Sequence, residues 1–69
     1  MYKVIYTTRN GSEEMATGGY DKESYDSAHK FMLHVSREYH SYVGGSFVEG
    51  MDSATVTSRL GEVYTYEIK

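Results

Sequence analysis

The stretch SYDSAHKFMLHVSREYHSY, Ser24 to Tyr42, contains every histidine of the chain: His29, His34 and His40. Imidazole changes charge near neutral pH and is the commonest metal ligand, so such a group raises metal binding and acid–base work first. Two histidines on a helix share an ion when they stand three or four residues apart. Here the spacings are five, six and eleven. At about 1.5 Å of rise per residue, His29 and His40 are roughly 16 Å apart along a helix. No pair can chelate, so no metal site is expected. What exposed imidazoles do is add positive charge to their face as pH falls.

Other chemistry finds no better footing. Neither GxSxG nor HExxH occurs, and no local signature gathers a nucleophile with a base, so the chain reads as non-enzymatic, with no catalytic residue and no cofactor. Gly45 and Gly50 have the GxxxxG spacing of a phosphate-binding loop, but Met51-Asp52 follows where that loop needs Lys-Ser/Thr.

The elements that must carry these residues are few. At 69 residues with no internal repeat, the chain forms one small domain, residues 1–69. Cysteine is absent, so the fold stands on its apolar core or on a partner, with no disulfide to staple it. Ten acidic residues against seven basic give a net charge of -3, which opposes phosphate-backbone binding. No apolar run approaches the roughly 20 residues of a membrane span, and MYKVIYTTRN lacks the apolar core of a signal peptide. A soluble, cytoplasmic protein is expected, with no membrane partner.

Proline is also absent, and glycine does the punctuating. Asn10-Gly11 between two extended runs is a strong hairpin signal. A two-residue turn at that pair predicts Arg9 facing Ser12 and Tyr6 facing Met15, with Tyr2, Val4, Tyr6 and Met15 toward the core. Lys3, Ile5, Thr7, Glu14 and Ala16 take the outer face. Asp21 and Ser24 are candidate N-caps, and Gly44 is a candidate left-handed residue closing the helix. Between them Tyr25, Ala28, Met32, Val35, Tyr39 and Tyr42 form one helical stripe, with the histidines about 95–125° and Leu33 about 135° from its centre. GGSFVEGMD is a connection with a short strand at Ser46 to Glu49. ATVTSRL and EVYTYEIK then form a second hairpin at Leu60-Gly61, in which Ala54, Val56 and Leu60 match Tyr64, Tyr66 and Ile68.

This order predicts an α+β fold: a two-layer ββαββ mixed sheet with one helix across one face, and the terminal strands central and parallel. The chain resembles the small immunoglobulin-binding β-grasp domains of the protein L and protein G type. The likeness rests on the Asn10-Gly11-Ser12 turn, a helix with Ala and Tyr on its inner face, and the closing strand Tyr-Thr-Tyr-Glu-Ile-Lys. It implies a fold; no binding residue is carried over with it.

Recognition of a protein partner is the expected function. Compact acidic domains of this kind also resemble the small proteins with which phages and mobile elements block host enzymes. Two surfaces are candidates: the outer helix flank of His29, Leu33, Arg37 and His40, with Leu33 as an exposed apolar anchor, and the second-strand edge at Glu13, Glu14 and Ala16. A homodimer is the alternative. More distant is a single-strand nucleic-acid binder that uses Tyr2, Tyr6, Tyr64 and Tyr66 as a stacking platform beside Lys3 or Arg59.

Overall fold

The computed structural model describes residues 1–15 and 20–69. It contains β1 (Val4–Thr8), β2 (Gly11–Glu14), α1 (Tyr25–Val43), β3 (Ser46–Glu49), β4 (Ser53–Thr57) and β5 (Val63–Ile68). The five strands form one sheet in the order β2-β1-β5-β4-β3, with α1 on one face. The two-layer α+β architecture is as expected, and β1 and β5 are neighbours near the middle.

Their direction is not as expected. β1 and β5 run antiparallel, with Val4 opposite Ile68 and Tyr6 opposite Tyr66, so the whole sheet is antiparallel and not mixed. The reason is parity. Each hairpin reverses the chain, and Ser46–Glu49 is a full strand paired to β4, so two hairpins follow the helix where a four-stranded form has one. The helix accordingly joins β2 and β3, the two edges of the sheet, which point the same way.

The first hairpin turns at Arg9-Asn10, with Thr8 opposite Gly11 and Tyr6 opposite Glu13. Asn10 does not take up a positive φ; Gly11 does, at 121°, and already belongs to the returning strand. The pairing is thus slipped by two from the expected register. A slip of two keeps every side chain on its face, so Val4, Tyr6 and Met15 still point to the core. The second hairpin closes through Ser58 to Glu62, where the Ser58 hydroxyl accepts from the N–H groups of Leu60 and Glu62. Leu60 therefore sits on the tip at 88% exposure and not in the core.

Ser24 caps the helix, its side chain accepting from Ser27 N–H at 3.2 Å. Asp21 holds the preceding turn instead, accepting from Glu23 N–H at 2.9 Å. Tyr25 donates to the Asp52 carboxylate, which ties the start of the helix to the β3–β4 turn. That bond pushes the Tyr25 hydroxyl pKa up.

The core is Val4, Ala28, Met32, Ala54, Val56 and Tyr66, with Tyr6, Val35 and Ile68 half-buried around it. On the helix the buried residues are Ala28, Met32 and Ser36, spaced by four. Each such step advances about 40° around the axis, so the buried stripe drifts away from Tyr39 and Tyr42 toward Leu33 and His40. Tyr25 and Tyr42, the ends of the expected stripe, are exposed. Buried Ser36 meets its hydrogen-bonding need within the helix, donating to the carbonyls of Met32 (2.8 Å) and Leu33 (3.2 Å).

Candidate functional site

β2 is an edge of the sheet, and all four of its residues are exposed. Met15 N–H donates to Val4 carbonyl at 2.9 Å, which makes that pair hydrogen-bonded. In an antiparallel ladder the bonded pairs alternate, so Glu13 and Gly11 also turn their backbone toward β1. Ser12 and Glu14 turn theirs outward. Among the described residues no main-chain hydrogen bond reaches those outward groups. The side chains divide by face as well. Glu13 is opposite Tyr6 on the helix side; Glu14 is opposite Ile5 on the open side, in one row with Glu67. Neither Glu13 nor Glu14 forms an ion pair among the described residues. Ala16, the remaining candidate on this edge, lies outside the described residues.

Inward of this edge the sheet is only partly covered. The helix packs over β4 and β5 and reaches β3; toward β1 it makes contact through long side chains, Tyr39 against Tyr6 at 6.4 Å between rings. The gap left on that side is a groove of about 220 Å³ lined by Met15, Val35, Glu38, Tyr39, Tyr42 and Tyr66. Tyr42 is its most exposed wall, at 79%.

Tyr39 also anchors a ring cluster. It meets Tyr64 edge-on at 4.9 Å, while Tyr6 stacks on Tyr64 at 6.3 Å and tilts against Tyr66 at 5.0 Å. Burial and hydrogen bonding to Tyr39 push the Tyr6 hydroxyl up to about 12, and hydrogen bonding to Tyr39, then burial, does the same for Tyr64. Burial also raises Tyr66. These rings lie on the helix face of the sheet, so the outer-face stacking platform is not formed. A phenol is neutral when protonated, and a raised pKa means that the fold favours the protonated form. The stabilisation is therefore whole below the ordinary tyrosine value near 10 and is lost as pH rises from there to about 12. A titration following tyrosinate absorbance and circular dichroism together should show the late-titrating tyrosines ionising as the fold melts; ionisation complete near pH 10 with the fold intact would contradict the cluster.

Beyond Thr7 and Thr65 the β1–β5 pairing stops and the two hairpin tips diverge. An open cleft of about 960 Å³ separates them, walled by Tyr6, Arg9, Glu13, Leu60, Val63 and Tyr64 among others.

The helix flank looks different from its sequence reading. Leu33 is half-buried and packs against the core, so it is not a free anchor. Arg37 pairs with Glu49 on β3 at 3.2 Å, and His40 Nε2 lies 3.1 Å from Gly45 carbonyl with its ring against Phe47 on β3. His29 stacks on Tyr25, and exposed His34 faces Glu38 at 3.4 Å. The cause is the fifth strand: β3 lies against the flank that a four-stranded sheet leaves bare. The structure thus leaves the β2 edge open and covers much of the flank from within. Among the described residues no three His, Asp or Glu side chains come together as a metal would require, and no helix is long and apolar enough to cross a membrane.

Missing from the sequence reading were Ser12, the outward direction of the Ser12 and Glu14 main chain, and the groove beside them. The outward direction depends on register, the groove on where the helix lies; only Tyr42, an aromatic at the end of a drifting stripe, signalled either. No protein-family model, curated protein or solved structure matches the chain.

Proposed function

We propose that this protein is a small recognition module that captures an extended segment of a partner protein by strand addition to β2, as an adaptor or inhibitor would. The observation that carries this reading is the outward pair of Ser12 and Glu14 on an exposed edge strand, whose outward main-chain groups meet no other strand among the described residues. A sheet edge offers ready-made hydrogen bonds to an incoming strand, and glutamates at the edge guard it against indiscriminate pairing.

Glu14→Pro is the discriminating variant. Proline at this position removes an outward N–H and leaves the β1–β2 ladder its own bonds. Random linear peptides displayed on phage and selected on the wild-type protein should yield binders whose affinity for Glu14→Pro is about tenfold or more below that for Glu14→Thr, which lacks the same carboxylate but keeps the N–H. Circular dichroism confirms that both variants fold. Selected peptides that bind Glu14→Pro as well as Glu14→Thr, or a selection that enriches none, would remove strand addition as the function.

A further inference from the structure

We infer that the segment received by β2 is basic, with alternate residues apolar: cationic side chains on the open face beside Glu14, apolar ones on the helix face toward Met15 and Tyr42. This inference rests on the strand-addition reading and adds the chemistry of the occupant.

Three observations lead to it. The edge carries a carboxylate on each face, Glu13 inward and Glu14 outward, and neither is neutralised by a cation among the described residues. Behind Glu14 the open face continues through neutral Ile5 to a second carboxylate, half-buried Glu67 on β5, with Lys3 and Lys69 as the next pair along β1 and β5 on that face. On the other face the groove of Met15, Val35, Tyr39, Tyr42 and Tyr66 is apolar and aromatic, with Glu38 as its one charged wall.

A strand alternates its side chains between faces, so one that lies along β2 meets Glu14 on the open face and, on the other, Glu13 and the groove. Opposite charges across a strand pair attract, and like charges directly opposite repel. That sign selects among occupants. A second copy of the chain, pairing β2 to β2 about a two-fold axis, would set Glu13 and Glu14 against the same two residues. An acidic segment or a nucleic-acid backbone meets the same repulsion, under a net charge of -3. A basic strand turns each of these charges into an attraction that is strongest at low salt.

The test uses the whole protein and two synthetic peptides, one alternating Lys and Val, the other Glu and Val. The Lys peptide should bind saturably, slow hydrogen exchange at the Ser12 and Glu14 amides, and weaken as salt is added. The double variant Glu13→Gln/Glu14→Gln should bind it about tenfold more weakly; the Glu peptide should not bind. If both peptides bind equally, or the double variant binds as tightly as wild type, the charge inference is overturned while protection of Ser12 and Glu14 still upholds strand addition. Peptide bound without protection at those two amides overturns strand addition itself. Absence of binding by the Lys peptide overturns the inference, and wild-type dimers held through β2 would replace it with self-association.

Discussion

Replacing Met32 by alanine is expected to destabilise the protein by about 2–5 kcal/mol. Met32 has no exposed surface and lies at the middle of the buried helical stripe, packed in one cluster with Val4, Val56 and Tyr66. Truncation removes its burial and leaves a cavity that a sheet and a single helix can only partly close. The scale of the whole fold makes the loss severe. At about 0.05–0.15 kcal/mol per residue, a chain of 69 residues has roughly 3–10 kcal/mol of stability. Urea unfolding followed by circular dichroism should show a large drop in midpoint and much of the variant unfolded on mild warming. A change below about 0.5 kcal/mol would place Met32 outside the core, since surface substitutions stay within that range.

Gly45→Ala should cost a comparable amount, about 2–5 kcal/mol, through the backbone. Gly45 has φ 78°, where a side chain is strained, and a Cβ there would overlap the carbonyl oxygen of Thr57. Thr57 is the β4 partner of Ser46, so the obstruction is main chain and cannot rotate aside. The relief available is for β3 to leave β4, which takes Phe47 from His40 and Glu49 from Arg37. Gly61 supplies the control: its φ is 87°, yet a Cβ would meet nothing within 4 Å. Gly61→Ala should therefore cost only about 1–2 kcal/mol, the strain alone. Hydrogen exchange should show the β3 amides opening first in Gly45→Ala. Equal destabilisation by the two variants would mean that the close approach of Gly45 to Thr57 has no energetic weight.

Local patterns carried far in this chain because they obey the same physics in any context. Asn10-Gly11 marked a hairpin, Ser24 a helix start, and alternation in EVYTYEIK a strand whose Tyr64, Tyr66 and Ile68 face inward; each has its place in the structure. Face assignment survived a register error, since a slip of two preserves it. What failed were quantities that belong to pairs of elements. The helical stripe gave the residues that could face a sheet, while the placement of that sheet set which did: Leu33 packs against the core, His40 lies against Phe47 of β3, and Tyr42 is left out.

The candidate site divides along the same line. Glu13 and Glu14 on an edge could be read from the order of strands and the charge pattern. That Ser12 and Glu14, and not Glu13, point their main chain outward required the Met15–Val4 bond, and the groove beside Tyr42 required the position of the helix. By itself the sequence determined the secondary elements, their inward faces, an acidic edge and a histidine spacing that cannot chelate, because these depend on residues close together along the chain. The tertiary structure alone decided the direction of β5, the covering of the helix flank and the outward groups of β2, because strand parity, sheet width and hydrogen-bond register arise only when distant segments meet.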